Sequence, residues 1–392
     1  MPAYRVGVVG YGMIGSVVSY LLARDGHAVS LLERAPVVSA VGAGIILQPS
    51  GQQVLEHLGI LERVTSHSAP LHELHAVHAD GRTLIRNKYG DYEPGMCSYG
   101  THRGVLFEAA KSLVESQPVD VHLGTDIVRR SVENGKVWLI GADEKRFGPF
   151  DFVVCGDGSR SVLRTALGSR WWHHPYRHGA IWAIAPSTTV QGKLLQVVDR
   201  NRRLCGVLPL GDGLTTLYWG ASVGEYDKIR HRGIDPLKRE IVAFCPETAG
   251  LLEFVYDMDQ LIFTTYRAVW MARRFDRHSI FLGDSSHAMS PHLGQGINIA
   301  LLDAWILAEC VRQTRSPLEA FRRWHQRQEG YLRYYAAVTA FLSPFFQSDV
   351  TFLGWGRDVV LPWLPYLPFV KEQMLMTMAG LKGGFLKGRR QL

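Results

Sequence analysis

Long apolar runs are missing from this sequence. No stretch of about 18 consecutive apolar residues occurs, the length a helix needs to cross a bilayer, so no transmembrane segment is expected. Cysteine is sparse: Cys97, Cys155, Cys205, Cys245 and Cys310 are odd in number, widely spaced and form no CxxC pair. That excludes a disulfide framework or a zinc knuckle and points to buried thiols in a reducing, cytoplasmic compartment. Runs of one charge sign are absent too. The densest basic cluster, Lys382, Lys387, Arg389 and Arg390, reads as a solvated tail, so no nucleic-acid partner is expected. A secretory leader is not expected either, because residues 6–9 pass directly into a glycine turn.

What is present is ordinary for a folded protein: 392 residues, 46% hydrophobic, 10% aromatic and 20% charged. This excludes a disordered or collagen-like chain and allows two or three domains, or one interleaved unit, with a core that needs no staples. Lys and Arg total 43 against 36 Asp and Glu, and the net charge of +7 permits an anionic ligand or an acidic membrane surface without requiring either.

The first thirty-five residues hold the strongest pattern. Val6, Gly7, Val8 and Val9 form a short run suited to a strand buried on both faces. It ends in Gly10-Tyr11-Gly12-Met13-Ile14-Gly15, an apolar helical segment follows to Gly26, and a second buried strand closes at Glu33. Each part has a physical role. Gly10 makes the sharp turn, Gly12 lets backbone approach a pyrophosphate, Gly15 lets helix pack on strand, and the helix N-terminus points amides at the anion. Glu33 can accept both hydroxyls of an adenosine ribose, and Arg34 either braces that ribose or faces water. The motif alone leaves NAD and FAD open.

Two later segments decide between them. Residues 152–155 form another buried strand, followed by Gly156-Asp157-Gly158-Ser159-Arg160-Ser161, whose serines can cap a following helix. Residues 280–282 run into Gly283-Asp284, then into Pro291-His292-Leu293-Gly294-Gln295-Gly296-Ile297-Asn298 and an apolar helix containing Asp303. Gly294 and Gly296 allow main chain to lie flat against a ligand, and Asp284 can accept from a polyol hydroxyl.

These three segments, in this order and spacing, resemble the single-component FAD-dependent aromatic hydroxylases, the family of para-hydroxybenzoate and salicylate hydroxylases. The resemblance implies an α/β fold: a Rossmann-type FAD-binding domain interleaved with an antiparallel-sheet substrate domain, plus a C-terminal helical segment. It implies FAD-binding stretches at 1–70, 98–169 and 266–340, a substrate sheet at 71–97 and 170–265, and the helical segment at 341–392. By the same resemblance, Gly10, Gly12, Gly15 and Glu33 hold the AMP half of FAD, and Asp157 and Gly158 touch FAD and NAD(P)H. Asp284 binds the ribityl chain. Pro291, Gly294, Gly296, Ile297 and Asn298 lie beside the isoalloxazine ring. Residues 42–49, with Gln48, resemble the stretch passing the ring, and residues 101–106 the segment whose arginine, Arg103, contacts the cofactor.

The activity so implied is hydroxylation of a phenolic or heteroaromatic ring with NAD(P)H and O2 through a flavin C4a-hydroperoxide. The alternative on the same fold is a dehydrogenase or reductase that inserts no oxygen. The partners expected are a small aromatic substrate, O2 and NAD(P)H, for a monomer or homodimer. Candidates near the flavin face for handling a substrate proton are His292, Gln48 and Tyr218, with His292 best placed by motif. No second GxGxxG unit appears, which fits transient docking of the reductant. Trp182 lacks the second tryptophan of the flavin halogenases. Ser286-His287 lacks a nucleophile elbow. His72, His75 and His78 precede an Asp80-Gly81 turn, so they belong to a strand whose alternation separates them, and no metal site is expected. Residues 180–185, 194–198, 205–209 and 214–219 read as antiparallel strands. Trp182, Tyr218 and Trp219 on them are read as sheet core in preference to pocket lining.

Overall fold

The computed structural model describes residues 3–38, 42–201, 203–346, 358–359 and 361–390. Part of the aromatic stretch after Phe341 therefore lies outside the described residues. Five parallel strands form the nucleotide-binding sheet in the order Ser279–Phe281, Phe152–Cys155, Arg5–Val9, Ala28–Leu32 and Val119–His122. Phe152–Cys155 and Ser279–Phe281 are fully buried, as expected for strands covered on both faces. The helix Met13–Arg24 is buried over most of its length, because the helix Gly296–Gln313 packs against it and the sheet lies beneath.

The second large sheet has seven strands in the order Ile262–Met271, Trp171–Pro186, Leu214–Ser222, Arg203–Gly211, Lys193–Asp199, Glu73–His78 and Thr83–Lys88. It is antiparallel except where Lys193–Asp199 runs parallel to Glu73–His78. One face carries Ile181, Val207, Leu217 and Trp219 against helices within 223–252. Asp212 and Gly213 both take positive φ in the turn between two of its strands, as a tight hairpin requires. His75 points away from His78, and among the described residues no cluster of His, Cys, Asp and Glu suits a metal ion.

Three local expectations need correction. Ser159 and Ser161 cap no α-helix: a short 3-10 turn, Leu163–Leu167, follows, with Val162 before it and no side-chain cap. Cys97 is half-exposed, whereas the other four thiols are buried, and all five are free. The basic tail is not simply solvated. Lys382 is 8% exposed, Arg390 donates to Gln328 Oε1 and stacks on Tyr331, and Arg389 pairs with Glu93.

Candidate functional site

The parallel register aligns Val9 with Cys155 and Cys155 with Phe281, so the turns at 10–15, 156–158 and 283–284 open side by side. Contact between them is close. A Cβ on Gly10 would lie 2.7 Å from Gly156 O, one on Gly283 2.2 Å from the Ile14 side chain, and one on Gly15 1.8 Å from Gly10 O. Gly12 differs, because a Cβ there would meet no protein atom within 4 Å. The carboxylate of Glu33 ties the turn down, accepting from Tyr11 N at 2.7 Å and Ala35 N at 2.9 Å. Each carboxylate oxygen keeps further acceptor capacity beyond these two amides, and Arg34 beside it is exposed.

At the second turn, Gly158 takes φ +81° and Asp157 Oδ1 is buried without a hydrogen bond. Burial pushes the Asp157 carboxyl up to about 6, with Arg164 and Arg34 pulling it partly back. A carboxyl raised in the folded state destabilises the ionised form, so its contribution to stability is present below about pH 4 and lost as pH rises through about 6. Asp157→Asn is therefore expected to stabilise the ligand-free protein at pH 7.5 by on the order of 2 kcal/mol. Melting temperatures between pH 4 and 8 check this; a gain that does not shrink toward pH 4 contradicts it.

Asp284 reaches solvent yet is ringed by protein, as on the floor of a cleft, and burial raises its carboxyl while His287 and Arg103 oppose the rise. Arg103 also flanks Gly42, whose Cβ would sit 3.0 Å from Arg103 Cδ. The 291–298 loop closes the cleft. Pro291 is exposed, Gly294 takes φ +61°, Gly296 opens the following helix with a vacant Cβ position, and Ile297 is half-buried. Asn298 is fully buried and clasps both sides of the cleft. Its Oδ1 accepts from Gln48 N at 2.9 Å, and its Nδ2 donates to Ile46 O at 3.1 Å and Gly294 O at 3.0 Å. Gln48 is 2% exposed, and its Oε1 accepts from Tyr89 Oη at 2.7 Å. An amide so placed takes up no proton, so Gln48 is a positioning group and not a base.

Sequence reasoning missed the support beneath this cleft. Asp303 is 0% exposed. Its Oδ2 accepts from Gly283 N at 3.0 Å and His287 Nε2 at 2.7 Å, and its Oδ1 from Gln328 Nε2 at 2.5 Å. The end of the helix Pro368–Met378 and the residues after it continue the support: Met378 O accepts from Gln295 Nε2, Ala379 O from Ser50 N, and Gly380 O from Tyr331 Oη. Only Asp303 carried a local signal, as an acid inside an apolar helix.

Above the loop lies an aromatic cage. Trp182 and Tyr218 meet at 5.1 Å, Tyr266 and His292 at 6.1 Å edge to face, and His292 and Phe346 stack at 5.9 Å. Tyr218 and Tyr266 are half-exposed, yet burial raises both phenols well above their ordinary value, as in an enclosed cavity. Tyr218 thus stays protonated, its Oη accepting from Gln196 Nε2 at 2.5 Å, and is not a base. Trp219 faces the opposite way at 1% exposure and is core, whereas Trp182 and Tyr218 line the cage. Tyr266 and Phe346 were not singled out from sequence.

The hydrogen-bond chain behind His292 fixes its proton. Thr339 O can only accept, so Ser343 Oγ donates to it at 2.7 Å. Ser290 Oγ must then donate to Ser343 Oγ at 2.6 Å, and His292 Nδ1 must donate to Ser290 Oγ at 2.9 Å. The neutral imidazole is therefore the Nδ1–H tautomer, with its basic lone pair on Nε2.

The cleft suits FAD: a vacant position over Gly12, an unpaired buried oxygen on Asp157, and a carboxylate floor at Asp284. Comparison with known proteins agrees. Residues 3–319 match the family model described as FAD binding domain. The chain is 27% identical to 3-amino-4-hydroxybenzoate 2-monooxygenase of Streptomyces cremeus over 339 residues, 82% of each chain. It is 26% identical to 6-hydroxynicotinate 3-monooxygenase of Pseudomonas fluorescens, over 79% of this chain and 83% of that one. In fold it is similar to HpxO of Klebsiella pneumoniae complexed with FAD, with a TM-score of 0.82 at 17% identity, covering 96% and 99% of the two chains. It also resembles PqsL of Pseudomonas aeruginosa, with a TM-score of 0.80 at 22% identity, covering 92% and 100%. With residues 3–319, well over half its length, matched, the chain belongs to the FAD-binding family of flavoprotein aromatic monooxygenases.

Proposed function

We propose that this monooxygenase hydroxylates a phenolic or heteroaromatic ring held in the cage between the seven-stranded sheet and the 291–298 loop. The observation that carries this reading is the convergence of three nucleotide-type turns beneath that cage. Gly12, Glu33 and the helix amides suit the AMP half of FAD, Asp157 and Gly158 its pyrophosphate side, and Asp284 with Arg103 its polyol. The backbone at 294–297 is assigned to the flavin ring, where its amides can steady negative charge. When bound, FAD reduced by NAD(P)H activates O2 and supplies the oxygen that enters the ring. The protein's own part is orientation, exclusion of water and movement of one proton. We assign that proton, from the substrate hydroxyl, to His292, which stands in the cage between Tyr266 and Phe346. Five free thiols fit the cytoplasm.

His292→Ala is expected to keep FAD and to lower kcat about 100-fold at pH 7, with recovery at pH values where the substrate hydroxyl ionises unaided. Stopped-flow hydroxylation across pH 6–10 measures this, and an unchanged rate at pH 7 refutes the role. Substrate-stimulated O2 uptake with NAD(P)H tests the reaction class, since a non-oxygenating reductase forms no hydroxylated product.

A further inference from the structure

The sheet face that forms the roof of the cage carries no formal charge over its central rows. In antiparallel and parallel pairs alike, residues in register share a face. The row through Tyr218 runs Trp182, Tyr218, Gly206, Gln196, Ala76, Ile85. The adjoining row holds Ile184, Thr216 and Leu208. The basic residues of these strands sit on the other face: Lys193 and Lys88 register with Glu73, and Arg86 with His75. Farther along the roof, Val198 registers with His78, which lies 3.0 Å from Asp80, 3.6 Å from Asp199 and 3.7 Å from Asp358. That end therefore holds a histidine among carboxylates, one of which, Asp80, is paired with Arg82 at 2.8 Å.

One directed polar group stands in the neutral row. Gly206 has no side chain where one would lie 1.9 Å from the Tyr218 ring, so the ring lies flat on the strand. Gln196 Nε2 donates to Tyr218 Oη at 2.5 Å, which leaves the phenolic hydrogen for a partner in the cavity.

Resting on the hydroxylase reading above, we propose that the site takes an uncharged aromatic substrate with a neutral oxygen that accepts from Tyr218, and that it discriminates against aromatic carboxylic acids. A carboxylate brought under this roof would be desolvated against tryptophan, tyrosine and leucine, with no lysine or arginine among the described cage residues. A carbonyl or hydroxyl oxygen needs only the hydrogen bond that Tyr218 offers. A site built around one neutral hydrogen bond distinguishes substrates by that group.

The test is equilibrium dialysis of the FAD-loaded enzyme with 4-hydroxyquinoline and with 4-hydroxyquinoline-2-carboxylate. The expected result is at least about tenfold tighter retention of the uncharged ring, about 1.4 kcal/mol. Tyr218→Phe should weaken that retention about fivefold or more. Gln196→Arg, which adds the absent cation, should favour the carboxylate. Equal or tighter retention of the carboxylate by the native enzyme, or retention of neither ring, overturns the proposal. The two readings fail separately. A carboxylate that is bound tightly and hydroxylated removes the charge preference but keeps the hydroxylase. The expected ranking without any substrate-stimulated O2 uptake removes the hydroxylase but keeps the pocket assignment.

Discussion

Gly12→Val is expected to purify folded and colourless. The reason is the contrast among three glycines of one turn. At Gly15 a single methyl would strike Gly10 O at 1.8 Å, and at Gly10 the backbone holds φ +99°, so substitution at either damages the fold itself. At Gly12 φ is −86° and no protein atom lies within 4 Å of the added Cβ. The protein tolerates a valine there, while the space over the helix amides, where a pyrophosphate belongs, does not. FAD affinity should fall at least about 100-fold, close to 2.8 kcal/mol, with the melting temperature of the ligand-free protein unchanged within a degree or two. Absorbance near 450 nm and thermal melts of apo preparations decide it. A yellow variant would show that the dinucleotide lies elsewhere, and a colourless but unfolded one would show that the turn was misread.

The second large effect is expected at Asp303, some distance from any reacting atom. Asp303→Ala strands Gly283 N, His287 Nε2 and Gln328 Nε2 in a dry interior. Removing one partner from a buried charged network costs about 3–5 kcal/mol. For a chain of this size that lowers the melting temperature by roughly 5 °C. Because Gly283 immediately precedes Asp284, FAD should also bind more weakly. Asp303→Asn, which keeps the volume and one acceptor but not the charge, should restore part of the stability and not all of it. Differential scanning fluorimetry of both variants measures the difference; a loss below about 1 kcal/mol would remove Asp303 from the support role.

The nucleotide turns were legible because each is written in consecutive residues. A strand, a glycine that must take positive φ and an acid at the next strand end specify one another within a few positions, as Gly10 and Glu33 do here. Face assignment was only half legible. Tyr218 and Trp219 are neighbours, and strand alternation must send them to opposite sides. Which side was cavity and which was core depended on helices 223–252 covering one face, and that is decided by distant chain. The cage and its support were not readable for the same reason: Tyr266, His292 and Phe346 meet across eighty residues, and Arg390 reaches Gln328 across 62. A basic cluster without periodicity looked like a solvated tail because nothing local in it announces Tyr331 or Glu93 as partners.

The long reach from Ser50 to Ala379 also orders events during synthesis. A ribosome that has released the turns at 10–15, 156–158 and 283–284 has made the strands that carry them, but not the residues that brace Ser50, Gln295 and Gln328. A nascent chain at that stage can have its nucleotide turns in register while the 291–298 loop is still unbraced. The hydrogen bonds from Gln295 to Met378 and from Arg390 to Gln328 are thus among the last that the growing chain can make.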